Sequence, residues 1–411
     1  MHTVSFYIPR RLALLVIMLP VLLLKPAICQ QPVYPYKSFT EFRAALDQVT
    51  RVVDPIEREK QINNLWAKLK SDNQIPYRLG DSVAFLYRGI AKKVSWCGDF
   101  SGWRPSVPEY TGVRSGESDV WIAVHKFPAD ARLDYKIVVD EKWILDPDNP
   151  YQQMSGMGMN SELHMPDWKF PDETELSQDV IRGTLSDNNL IKSEKLGYSV
   201  NYKVYTPYNY SKSESLPVVY VTDGHEYADD VKGALITILD NLIYAGEIKP
   251  VMAVLIDPRE PGNDKNNRRM QEYICSQKFA DFVGDELIPL IDQTFKTHAC
   301  PDDRVILGTS LGGMNAAWFG AVRLKDFHLL GINSPAFNKQ VIEKFGGLDW
   351  FPFRVYMTTG VINDTRKQAL EMKDILEKNK VDFVYKEVNE GHSWGNWRAL
   401  LADMMRWFFP M

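Results

Sequence analysis

Apolar residues recur along the chain with three successive periods. Phe39, Phe42, Leu46 and Val49 fall at helical spacing, and Asp54-Pro55-Ile56-Glu57 supplies a cap, a first-turn proline and a carboxylate at the third helical position. A second helix then carries Ile62, Leu65, Trp66 and Leu69, so residues 30–75 read as a helical lead-in. From Ser82 the period shortens to short β-type runs at 83–87, 94–96, 120–124 and 135–139, punctuated by Gly, Pro and Asp. Residues 76–166 therefore suit a small β-sandwich, closed near Asp146-Pro147-Asp148-Asn149-Pro150, with the polar stretch 161–177 as a linker.

Residues 167–411 alternate β runs with amphipathic helices. The runs are 218–222, 251–256, 304–307, 327–332, 354–358 and 383–388; between them lie Leu235, Ile238, Leu239 and Leu242, then Phe279, Phe282, Val283 and Leu287. This alternation predicts an α/β domain with a mostly parallel sheet covered on both faces.

The chain has 411 residues, 45% hydrophobic and 25% charged, which excludes a disordered or low-complexity scaffold and suggests two or more folded units. With a formal charge of -5 and no long basic block, nucleic acid is not an expected partner. Arg10 and Arg11 precede an apolar run over 12–24, and the small residues Ala27 and Cys29 precede Gln30. Residues 1–29 thus read as a signal peptide, and the protein as exported; a lipid anchor on Cys29 is the lesser alternative, because Ile28 is not small. No later segment reads as a transmembrane helix. Export permits disulfides, and Cys97, Cys275 and Cys300 leave two readings open: a Cys275 to Cys300 bridge, or three buried thiols.

The strongest chemical signal is Gly308-Thr309-Ser310-Leu311-Gly312-Gly313, set between a β run and a helical stretch. A serine on such a turn is lifted clear of the sheet, and glycines are needed where the turn leaves no space for side chains. A serine hydroxyl needs a base and the base needs an orienting carboxylate. His392, in the loop after 383–388, is the candidate base, and Asp364, in the loop after 354–358, the candidate acid, with Glu390 in reserve. The alternative for Asp364 is an N-cap of the next helix. Oxyanion donors are expected from the backbone N–H of Leu311 and of Gly224 or His225. Arg268, Arg269 and Glu272 read mainly as a structural tie, with Arg269 and Trp394 as candidate substrate contacts. The paired acids Asp229, Asp230, Asp302 and Asp303 read as solvated, and neither a metal nor a cofactor is expected.

Taken with Asp223-Gly224, Arg268-Arg269-Met270-Gln271-Glu272-Tyr273, Asp285-Glu286-Leu287-Ile288-Pro289 and Glu390-Gly391-His392, this motif resembles the esterase D family of α/β-hydrolases. Within it the similarity is to enterochelin esterases and the related feruloyl and acetylxylan esterases, over most of 178–411. The resemblance implies Ser310 as nucleophile, His392 as base and an acid in the loop holding Asp364, where Asn363 stands alongside. It implies a serine carboxylic-ester hydrolase whose substrate is a polysaccharide ester or a siderophore ester. A non-catalytic glycan-binding protein and an acyltransferase are the alternatives. The front unit, through Val94, Gly98-Asp99-Phe100-Ser101-Gly102-Trp103, Tyr135-Lys136 and Asp146-Pro147, is similar to the immunoglobulin-like domain that precedes such enzymes. Trp103, Trp121 and Trp143 are then either sugar-stacking or active-site-covering residues, or sandwich packing, the latter being the expectation.

Overall fold

The computed structural model describes residues 36–208, 210–211 and 214–411; the signal-peptide reading falls outside them. Helices Phe39–Thr50 and Pro55–Ser71 open the described chain. The second is capped as its sequence requires: Asp54 accepts from the N–H groups of Ile56 and Glu57, with Pro55 at the first position.

Nine strands follow: β1 Tyr77–Leu79, β2 Ser82–Arg88, β3 Val94–Gly98, β4 Val113–Arg114, β5 Val120–Lys126, β6 Arg132–Val139, β7 Lys142–Ile144, β8 Gln152–Ser155 and β9 Gly158–His164. They form an antiparallel sheet in the order β1-β2-β5-β4 and another in the order β3-β6-β9-β8, with β7 paired to β6. Alternation sorts their side chains. Val83 and Phe85 of β2 meet Trp96, Leu133, Tyr135 and Ile137 of the other sheet in one apolar cluster. Ala84 and Leu86, with Val120 and Ile122 of β5, instead pack under the two helices against Phe42, Leu46, Trp66 and Leu69. β2 is therefore apolar on both faces, and its sequence reads as a continuous run.

The remaining chain builds a nine-stranded sheet from β10 Thr184–Leu185, β11 Asn189–Lys192, β12 Ser199–Thr206, β13 Val218–Val221, β14 Met252–Asp257, β17 Arg304–Thr309, β18 Leu329–Asn333, β19 Arg354–Gly360 and β20 Asp382–Val388. A separate hairpin, β15 Arg259–Glu260 and β16 Asn263–Asn267, projects after β14. The order β14-β13-β17-β18-β19-β20 is parallel throughout, and β12 joins β14 antiparallel. Apolar clusters cover both faces, one holding Phe279, Phe319 and Met314, the other Leu239, Leu307 and Met404. From β13 the chain runs to β14 on one side and later returns to β17 on the other, so the carboxyl ends of β13 and β17 flank a topological switch point.

Three expectations are corrected. Residues 161–164 lie in β9 rather than a linker; Glu162 opposes Asp134 and Ser161 opposes Tyr135, so a polar strand here faces a polar, buried partner. The helix expected through Phe279 and Leu287 is continuous but not α-helical throughout: Val283–Leu287 form a π-helical turn between the α-helices Gln277–Phe282 and Ile288–Thr294. Cys275 and Cys300 are not bridged: Cys275 packs in the core with Phe279, whereas Cys300 is only half-buried and reaches Asp302. Cys97 is buried and free as well. No helix among the described residues is long and apolar enough to cross a membrane.

Candidate active site

Ser310 closes β17 with φ 58° and ψ -117°, a conformation that costs free energy for a residue bearing a Cβ. Three backbone bonds hold it there: its N–H donates to Asn333 O at 2.9 Å, and its carbonyl accepts from Met314 at 3.1 Å and Ala336 at 3.0 Å. The flanking glycines are sterically required. A Cβ on Gly308 would lie 2.3 Å from Gly312 C, and one on Gly312 would lie 2.6 Å from Thr222 Oγ1.

His392 and Asp364, both in loops at carboxyl ends of neighbouring strands, converge on this serine. His392 Nε2 is 2.9 Å from Ser310 Oγ, and His392 Nδ1 is 2.6 Å from Asp364 Oδ1. The Asp364 side chain is fully buried, and burial by itself raises its pKa. The His392 hydrogen bond and charge, with donors from Ser334 Oγ and the Gly360 N–H at 2.6 Å each, outweigh burial and hold it below the usual carboxylate range. An ionised carboxylate only accepts, so Nδ1 of His392 carries a proton, and whenever the ring is neutral Nε2 presents its lone pair to the serine hydroxyl. The N-cap alternative for Asp364 fails, since the helix Arg366–Lys378 is preceded by Thr365 and Asp364 receives only the Thr365 N–H from it. Glu390, the reserve acid, is turned away from His392 toward Arg132 and Trp168.

The N–H groups of Leu311, Gly224 and His225 have no acceptor among the described residues and lie at the first positions of helices Leu311–Val322 and Gly224–Tyr227. Gly224 permits the approach of its loop to β14, where a Cβ would lie 2.3 Å from Leu255 C. The His225 ring turns to Asp257, with Nδ1 3.4 Å from Oδ1, and burial lowers its pKa.

A cavity of about 690 Å³ opens over Ser310 and His392. Arg269 and Trp394 both line it. Arg269 Nε donates to both oxygens of Asp223 at 2.9 and 2.8 Å and Nη2 donates to Thr309 O at 3.2 Å, so it fastens the β13 loop to the elbow while facing the cavity. Burial pushes the Asp223 carboxyl up to about 6 against the pull of Arg269. Arg268 stacks on Tyr198 at 4.0 Å and Glu272 accepts from the Tyr198 hydroxyl, the structural tie expected of that pair. Trp397, which sequence reasoning missed, meets the His392 ring edge-on at 4.9 Å. A hollow of about 710 Å³ near Trp318 and Lys344 contains none of these groups.

The front sheets supply the rest of the cavity wall. Trp103, Lys136 and Trp143 line it, against the expectation that the tryptophans are packing; Trp121 alone meets that expectation, in the apolar cluster. Arg132 is fully buried and donates to Ser393 Oγ, next to His392, at 2.7 Å. Asn363 Nδ2 donates to the carbonyls of Asp99 and Phe100 at 2.7 and 3.1 Å. The front strands and their loops thus contact the loops of both His392 and Asp364.

Residues 193–349 match the Esterase family model, described as "Putative esterase". The resemblance to the esterase family holds. An endo-1,4-beta-xylanase/feruloyl esterase of Xylanibacter ruminicola is 27% identical over 232 residues, covering 54% of this chain and 31% of that protein. An iron(III) enterobactin esterase of Dickeya dadantii is 26% identical over 290 residues, covering 64% of each chain. The chain therefore spans less than two thirds of either relative. The enterobactin esterase of Shigella flexneri superposes with a TM-score of 0.65 at 20% identity, covering 80% of this chain and 92% of the other, which establishes a shared fold.

Proposed function

We propose that the chain is a serine carboxylic-ester hydrolase, exported through its N-terminal leader, with an immunoglobulin-like sandwich in front of an α/β-hydrolase domain. The observation that carries this reading is the continuous relay from Ser310 Oγ through His392 to the buried Asp364. In the reaction His392 Nε2 takes the Ser310 proton as Oγ bonds to the ester carbonyl carbon. The N–H groups of Leu311 and of Gly224 or His225 stabilise the tetrahedral anion. His392 then returns the proton to the leaving alcohol oxygen, and an acyl-enzyme remains on Ser310. Water, deprotonated by His392, attacks that ester and releases the acid. Asp364 keeps the ring oriented and stabilises its positive charge without taking the proton.

The substrate in this reading is an ester of the kinds the relatives' names describe, a feruloyl ester or an enterobactin-like siderophore ester. Ser310→Ala is expected to lower kcat for a generic aryl ester by on the order of 10⁴-fold or more. Equal rates for variant and wild type would remove the nucleophile assignment.

A further inference from the structure

The outer face of the β3-β6-β9-β8 sheet is the part of the cavity that the hydrolytic relay leaves unexplained. Strand alternation turns Leu133, Tyr135 and Ile137 into the sandwich core and Arg132, Asp134 and Lys136 to the opposite face. Trp143 of β7 pairs with Val138 in the same register and so shares that face. Trp143 is 45% exposed, a large apolar residue left open inside a cavity. Trp103 lies nearly parallel to it, with ring centroids 6.5 Å apart and planes inclined by 21°.

Trp103 is held there at a cost. It has φ 59°, an outlying conformation for a bulky residue, and its Nε1 donates to Asp99 Oδ1 at 3.2 Å. Asp99 is in turn fixed by the Asp134 N–H at 2.8 Å and fills the space above Gly391, where a Cβ would lie 2.2 Å from its Cγ. The aromatic wall is therefore anchored to the loop that carries His392.

Among the described residues two ionisable groups around this wall lack an ion-pair partner, the buried Asp99, whose carboxyl burial pushes up to about 8, and Lys136, which is thus the one unmatched cation. Among the described residues, Arg269 is engaged by Asp223, Arg132 by Asp134 and Glu162, and Glu226 by Lys232. The side chain of Lys136, half-buried and lining the cavity, has neither an ion pair nor a hydrogen bond among the described residues. A neutral sugar would stack on the indoles but leave this ammonium without a counter-charge.

We infer that Trp103, Trp143 and Lys136 form a recognition subsite for a planar aromatic ring carrying an acidic oxygen, a phenolate, catecholate or carboxylate. The indoles receive the ring face and the Lys136 ammonium the oxygen. This deepens the hydrolase reading and rests on it only for the fate of the bound ligand; it selects aryl over acetyl esters.

The test uses the full chain and surface-accessible side chains. Trp143→Ala and Lys136→Met should each lower kcat/KM for methyl ferulate by about tenfold, equivalent to about 1.4 kcal/mol, and leave ethyl butanoate within about twofold. The Lys136→Met deficit should vanish for methyl 3,4-dimethoxycinnamate, which lacks the free hydroxyl. Equal losses on both esters, or no loss on either, would overturn the subsite. Calorimetric binding of ferulate and 2,3-dihydroxybenzoate to Ser310→Ala separates the two readings. Binding that weakens with Trp143→Ala supports the subsite even if no ester is turned over. Binding indifferent to Trp143→Ala overturns it even if hydrolysis depends on Ser310, as does xylobiose binding that depends on Trp143 when aryl acids do not bind.

Discussion

Asp364 accepts four hydrogen bonds, from His392 Nδ1, Ser334 Oγ and the N–H groups of Gly360 and Thr365, and this set decides its chemistry. Its lowered pKa means that it contributes stability above the ordinary carboxylate range and loses it as pH falls through that lowered value. Asp364→Asn keeps the shape but offers Nδ1 a poorer acceptor and favours the wrong tautomer of His392. The account predicts a fall in kcat of roughly 10⁴-fold with KM little changed, read from steady-state kinetics on one ester. Ser334→Ala removes one donor and should cost about 1.5–3 kcal/mol in denaturant unfolding. The elbow serine, the late histidine and the loop acid were legible because each follows an apolar β run. Ser334, which also follows such a run, carries no residue-type signature and was invisible.

At the scale of elements, the outer face of β6 is where sequence reading fell short. Arg132, Asp134 and Lys136 alternate with apolar residues, a pattern that a solvated face and a buried polar face share. The structure buries Arg132 and Asp134 of this face: Arg132 binds Asp134, Glu162 and Ser393, and a Cβ on Gly395 would fall 2.0 Å from Arg132 Cζ. A buried face and a wet face share one period, and only tertiary contact tells them apart. Residues 161–164 were misread for the same reason. Arg132→Met leaves Asp134 and Glu162 buried without their cation, and should cost about 3–5 kcal/mol in unfolding free energy. Arg132 acts as a positioning residue through Ser393, so activity should fall at temperatures where circular dichroism still reports a folded chain. Gly395→Ala should act alike, at about 1–3 kcal/mol.

Across the whole molecule, the fold class was legible because the parallel strands of an α/β sheet are buried on both faces and read as plain apolar runs. The union of the two sheet systems was not, because it runs through charges. Glu390 is buried at this junction, facing Arg132, Glu162, Asp134 and Trp168, and burial pushes its pKa up to about 7 despite Arg132. Burial raises Asp99 in the same direction. A raised carboxyl contributes stability below the ordinary carboxylate range and loses it as pH rises through the raised value. Tm is therefore expected to drop as pH rises from about 4 to about 8, and Glu390→Gln, which mimics the protonated form, should flatten that drop; an unchanged slope would remove Glu390 from the explanation. The central claim, however, concerns one oxygen atom. The most direct measurement is intact and peptide mass spectrometry after treatment with a fluorophosphonate. The account predicts a single adduct on Ser310, complete loss of ester hydrolysis with it, and no adduct on Ser310→Ala or after prior denaturation. An adduct on any other residue, or full hydrolysis by the labelled protein, would contradict it.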